Sequence, residues 1–448
     1  MRNSPPESTP LYTEIKRHIN MDFSRFHMPG HKGAGHGPLA DVMKFDFTEL
    51  PGGLESLYEG TGALAETQSL YSKLYGTKAS LLSAGGSTLC IQTMLTLACP
   101  PSSKIIAARG VHTSAVSAMG LLDLHPIWIM PEQDKNLGLM LPVSLGAVRD
   151  ALTANPDVCA VYITSPDYYG TISDIAGISE VCREFETPLL CDNAHGAHLN
   201  FLPQPMHPAS LGADMCCDSL HKTLPALTGA AILHIQNERF IPDAKRAMSM
   251  FGSTSPSFPI LLSADLLLPY LFEDVREDIR LLCETITQLR LLAGESGFII
   301  PRGIFDPIRL TVGFSGAGFN KSAFEACLAD HKITAEYIDR DFCVLLAGAY
   351  NNARDFERLR ALLASSGKCA GHTPVQQKFP VPQQACSVRE AAFAPARIIC
   401  VEDAPGKTAG ATVSPCPPGI PVLIPGEIIT KDIALLLKNA GILSVSVL

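Results

Sequence analysis

The chain has 448 residues, 46% of them hydrophobic and 18% charged, with a formal net charge of −9. That length accommodates two or three domains and at least one large core. An acidic balance without a long basic run argues against nucleic acid as a partner, and the longest apolar stretches, such as Ile260 to Leu268, are too interrupted to span a membrane.

In chain order, residues 11–20 carry the apolar spacing of a short amphipathic helix. The segment Arg25-Phe26-His27-Met28-Pro29-Gly30-His31-Lys32-Gly33, with further glycines to Gly37, reads as irregular. Its His27, His31 and His36 have no cysteine or carboxylate at ligand spacing, so no metal is assigned to them. Helical spacing returns from Ala63 to Tyr75 and stops at Gly76, and Ala79–Ser83 reads as a strand. The turn Ala84-Gly85-Gly86-Ser87-Thr88 then opens a helix that runs to Ala98. Glycines with hydroxyls at a helix N-terminus make a ready anion site; taken alone, the same residues are an ordinary cap.

Strand patterns follow at 104–108, 126–130, 158–164, 188–191 and 213–217, separated by helical patterns near 114–122, 144–154 and 174–186. This alternation predicts an α/β fold with a mostly parallel sheet covered by helices on both faces. In such sheets ligands bind beyond the carboxyl ends of the strands. One strand end carries Asp192-Asn193-Ala194-His195 and another leads into Asp218-Ser219-Leu220-His221-Lys222-Thr223, before an apolar run at 229–235. A carboxylate at one strand end and a lysine beyond the next suit pyridoxal 5'-phosphate (PLP): the amine forms a Schiff base and the carboxylate keeps the pyridine nitrogen protonated. A surface lysine after a strand is the plain alternative, but it leaves Asp192, Ser219 and His221 to be explained separately.

Residues 251–259 read as a loop, about 260–294 as helical, and 298–349 as a smaller α/β region. A Gly-, Pro- and Gln-rich stretch at 365–384 reads as a linker, and Pro415–Glu427 is a dense proline-rich tail. The expected division is therefore an N-terminal segment 1–60, a PLP-binding large domain 61–295 and a C-terminal small domain 296–448. The fourteen cysteines are scattered, without a CxxC pair, as suits buried free thiols in a reducing compartment. With no apolar signal region at the N-terminus, a cytoplasmic location is expected.

Five pieces in order resemble the ornithine/lysine/arginine decarboxylases, PLP enzymes of fold type I. They are His27–Lys32, the Gly86-Ser87-Thr88 turn, Asp192–His198, Ser219–Thr223 and Ser253–Pro259; the proline-rich tail from Pro417 to Glu427 closes the match. The resemblance implies α-decarboxylation of lysine, arginine or ornithine to the corresponding amine, by an enzyme that is at least a homodimer. It gives Lys222 the Schiff base, Asp192 the pyridinium and His112 the stacking position over the ring. Gly86, Ser87, Thr88, Ser219 and His221 would hold the phosphate, His195 would contact the ring's phenolic oxygen, and Ala194 is a further cofactor-binding position. Glu427 is the candidate for a substrate cation, carried to the pocket by the rigid tail. An Asp192-His195-His198 metal set is set aside because it would take Asp192 from the ring. Asn193 stands where the family often has glutamate, and Asp167 where it often has threonine. The wing domain of longer members is not expected. The alternatives are another fold-type-I reaction (aminotransferase, aldolase or oxoamine synthase type) and a PLP-binding homologue without turnover.

Overall fold

The computed structural model describes residues 9–130, 132–367, 383–414 and 421–448. Most of the 365–384 stretch, and Pro417, Pro418, Gly419 and Ile420 of the tail, lie outside the described residues.

The chain divides into two compact units, each drawn from separate stretches of sequence. The first takes the described residues up to Ala98 together with Leu190–Arg280. In it lie β1 (Ala79–Ser83), most of β5 (Leu189–Asp192), β6 (Met215–Ser219) and β7 (Ala231–Ile235), where the strand labels count all strands along the chain. β5 and β6 are parallel, whereas β7 runs antiparallel to β6 and β1 antiparallel to β7. The physical cause is the connection: only residues 220–230 join β6 to β7, too few for a helical crossover, so the chain must turn back on itself. β5, β6 and β7 are buried along their whole lengths, as continuous apolar runs covered on both faces should be.

The second unit takes Cys99–Leu189 and Leu281–Leu448. It holds β2 (Lys104–Ala108), β3 (His125–Ile129) and β4 (Val161–Thr164), with β2 pairing in parallel with both others. It also holds an antiparallel three-stranded sheet made of β8 (Arg309–Gly313), β9 (Tyr337–Ile338) and β10 (Phe342–Leu346), in the order β8-β10-β9. A ribbon of β11 (Arg397–Cys400) and β12 (Ser444–Val447) packs with Leu423, Ile429, Ile433 and Leu437 around a local apolar core.

The sequence pattern places the strands to within a few residues. The helix Gly62–Tyr75 ends where Gly76 takes a left-handed conformation at φ +64°, the stop that glycine favours. The expected helical stretch 260–294 is two helices, Phe258–Glu273 and Val275–Glu295, broken at Asp274. Residues 158–160 fall outside β4, although the Cys159 amide still bonds to the Lys104 carbonyl. Among the described residues no helix is long and apolar enough to cross a membrane.

Candidate active site

Parallel β5 and β6 end side by side, with Asp192 opposite Cys217 in the register. Beyond β6, Ser219 caps the single-turn helix Leu220–Thr223, which carries Lys222. Beyond β5, Asp192 Oδ1 accepts the Ala194 amide at 3.1 Å, a tight turn that points the next residues back over the strand ends. The Ser219 amide bonds to the Ala194 carbonyl at 3.3 Å. These two bonds bring His195 to Lys222, with Nε2 and Nζ 3.1 Å apart. Asp192 is buried, and His195, His221 and Lys222 are half-buried.

The anion-binding expectation can be tested on the polar atoms. Ser219 Oγ is buried and makes no hydrogen bond within the protein, and a buried hydroxyl in that state calls for an external partner. At Gly86 the backbone is left-handed at φ +66°, and no atom lies within 4 Å of where a side chain would begin. The turn leading to it is pinned by Ser83 Oγ, which accepts the Gly85 amide and donates to the Gly86 carbonyl, both at 3.0 Å. Ser87 and Thr88 follow in the first turn of the helix Gly86–Ala98, where backbone N–H groups lack intrahelical acceptors. His221 Nδ1 meets the Ala230 carbonyl at 3.0 Å and must donate to it, so donation from Nε2 to an anion requires the imidazolium. The residues of this unit therefore fit PLP: an amine, a buried carboxylate, an open helix N-terminus and an orphaned hydroxyl.

His112 and Glu427 belong to the second unit. His112 caps the helix Thr113–Leu122, with Nδ1 accepting the Ser114 amide at 3.2 Å. Glu427 calls for a revised expectation. It is 1% exposed, its Oε2 accepts Arg109 Nη2 at 2.9 Å and the Ile424 amide at 2.8 Å, and so it faces an internal cation. Arg109 also lies 5.2 Å from the Trp128 ring centre. Burial pushes the Glu427 carboxyl up and the Arg109 guanidinium down, while their mutual attraction opposes both shifts; the direct contact and the amide keep the pair ionised. The same unit contains a cavity of about 1020 Å³ lined in part by Gly110, Asp167, Tyr169 and Asp339. Burial pushes the Asp167 carboxyl up to about 6.

Sequence reasoning did not single out Asp218. It is fully buried, and it gathers Asn193, His207 and His234 around its carboxylate. A charged residue inside an otherwise apolar strand was the available signal. Among the described residues, His207, Asp218 and His234 also form the one group of metal-ligating side chains that converge, with ligand atoms within 4.8 Å of one another.

Comparison with known proteins shows the family of the chain. A family profile described as "Orn/Lys/Arg decarboxylase, major domain" matches residues 9–290, and one described as the C-terminal domain of the same family matches 375–440. An arginine decarboxylase of Halalkalibacterium halodurans is 30% identical, over 96% of this chain and 92% of its own. One from Bacillus subtilis is also 30% identical, over 96% and 93%. Among solved structures, a lysine decarboxylase of Francisella novicida superposes with a TM-score of 0.82 over 98% of this chain and 81% of its own, at 18% identity, a likeness of fold.

Proposed function

Because the chain belongs to the Orn/Lys/Arg decarboxylase family and shares its fold-type-I α/β architecture, we propose that it removes the α-carboxyl group of a basic amino acid, with PLP held at Lys222. The observation that carries this reading is the approach of Lys222 Nζ to His195 Nε2 at 3.1 Å, beside the strand end that bears buried Asp192. When bound, PLP supplies an electron-withdrawing ring that takes up the electrons left as CO2 departs.

The roles of the chain's own residues follow from their surroundings. Lys222 Nζ anchors the cofactor covalently, and His195 is close enough to exchange a proton with it. Asp192, fixed by the Ala194 amide, accepts the hydrogen bond of the ring nitrogen. Ser219 Oγ and the Gly86-Ser87-Thr88 terminus hold the phosphate, joined by His221 once it is protonated. His112 is assigned the stacking role, and Glu427 the task of holding Arg109. Arginine is the substrate to try first, since relatives that cover most of the chain are named arginine decarboxylases. The same reading makes the protein a cytoplasmic enzyme and at least a homodimer; full activity in a species of 48.0 kDa by light scattering would rule the dimer out.

The test is CO2 release from carboxyl-labelled arginine, lysine and ornithine by protein loaded with PLP. Release from at least one is expected. PLP bound with no release from any of the three would overturn the proposal.

A further inference from the structure

Asp218, the carboxylate of β6, takes no part in the assignment above, yet three side chains hold it. Among the described residues no lysine or arginine pairs with it. Three side-chain donors surround it instead: Asn193 Nδ2 at 2.6 Å, His207 Nε2 at 3.0 Å and His234 Nε2 at 3.3 Å. The far side of each imidazole also has a partner. His207 Nδ1 accepts the Ala209 amide at 3.3 Å, so that ring donates through Nε2 as a neutral imidazole. His234 Nδ1 meets the Ser80 hydroxyl at 2.9 Å, which can donate or accept, and burial pushes this imidazole down, toward the neutral form that donates to Asp218 through Nε2. Burial opposes the Asp218 charge, but His207 and His234, which attract it when protonated and hydrogen-bond to it in either state, outweigh burial and hold the carboxyl well below its ordinary range. The result is an ionised carboxylate, hydrogen-bonded but not neutralised.

The other titratable groups around it leave that charge standing. The ring of Tyr75 lies 4.3 Å from His234 and 5.1 Å from His207 between ring centres. Burial pushes the Tyr75 hydroxyl and the Cys90, Cys216 and Cys217 thiols up, which keeps all four neutral. Asp192, whose charge is felt at Cys90 and Cys217 as is that of Asp218, is the second carboxylate. The pairing also accounts for Asn193: glutamate there would set carboxylate against carboxylate across the 2.6 Å contact, whereas an amide donates.

We propose that Asp218 is a positioning residue for the Lys222 site: through Asn193 it ties β6 to the strand end bearing Asp192, and its uncompensated charge favours the cationic form of the cofactor. The inference rests on the PLP reading. A metal ion in place of the hydrogen bonds is the competing use of the three side chains, and each Nε2 is already directed at a carboxylate oxygen.

The experiment follows the visible band of bound PLP through a pH titration, in wild type and in Asp218→Asn. The new amide has an acceptor waiting, because Asn193 Oδ1 is buried without a partner. At an effective dielectric of about 20, a unit charge acting over about 10 Å moves a pKa by about one unit, and the midpoint should fall by an amount of that order. Melting curves of both proteins monitor structural damage separately, since destabilisation alone does not move a titration midpoint. If Asp218→Asn is not recovered folded, the triple variant His207→Leu, Asp218→Leu, His234→Leu removes the charge together with the donors it would orphan, and the same fall is expected. An unmoved midpoint in a folded, PLP-binding variant overturns the inference while leaving the cofactor reading intact. One divalent ion per chain in purified holoenzyme, by elemental analysis, also overturns it. A wild type that shows no PLP band overturns the cofactor reading, and this inference with it.

Discussion

Each unit buries several carboxylates, and two of them, Glu427 and Asp218, are handled in opposite ways. Glu427 is matched by a guanidinium, with the Ile424 amide taking up more of the same oxygen. Asp218 is surrounded by an amide and two imidazoles, none of which cancels its charge. A neutralised pair is closed to further ions and serves packing, and breaking it strands a charge in the interior. A solvated but unneutralised carboxylate keeps its potential, which an incoming cation can use. With the role proposed for Asp218, the contrast is between a charge kept for chemistry near Lys222 and a charge pair, Glu427 with Arg109, kept for cohesion.

The comparison can be broken most directly at Lys222. Lys222→Ala should abolish CO2 release and the borohydride-reducible band, because no other amine replaces the Schiff base proposed there. A reducible adduct that persists and maps to another lysine would refute the assignment. Next in size is the closed pair. Glu427→Ala should destabilise the protein by about 3–5 kcal/mol in urea unfolding, while Arg109→Met with Glu427→Leu should recover most of that loss. A double variant as unstable as the single one would mean that the pair does more than satisfy itself.

Ser219→Ala removes one hydroxyl from the proposed phosphate contact. A hydrogen bond to a charged group contributes about 1.5–3 kcal/mol, so the Kd for PLP should rise roughly ten- to a hundredfold with little change in the melting temperature of the PLP-free protein. Unchanged PLP affinity would remove Ser219 from the site. The smallest effect is expected at Asp167, a half-buried carboxyl pushed up to about 6, mainly by burial. A raised carboxyl pKa means that the folded state holds its proton more tightly than the unfolded one. Its charge therefore costs stability above pH 6, and the cost vanishes below about pH 4. Asp167→Asn, which keeps Oδ1 to accept the Thr171 amide, should stabilise the protein by about 1 kcal/mol at pH 8, discounted for partial exposure, and by nothing at pH 4. Equal stability of the two proteins at pH 8 would show that the Asp167 charge is already compensated.

What the chain could reveal by itself is what local periodicity encodes. Apolar runs closed by polar residues mark strands and their ends, so Asp192 and Lys222 could be set at neighbouring strand ends without coordinates. Glycines before hydroxyls mark the helix start at Gly86, and the ordered motifs point to the family. Pairings across the sequence were decided only by the fold. Glu427 and Arg109 stand 318 positions apart, and no spacing rule links a proline-rich tail to the residue after β2. Asp218 finds Asn193 25 positions back and His234 16 ahead, because strand register sets which side chains face each other in the interior. Hydrogen bonds between side chains depend on distances of a few ångströms, and only the packed strands bring residues so far apart in the chain to within that reach.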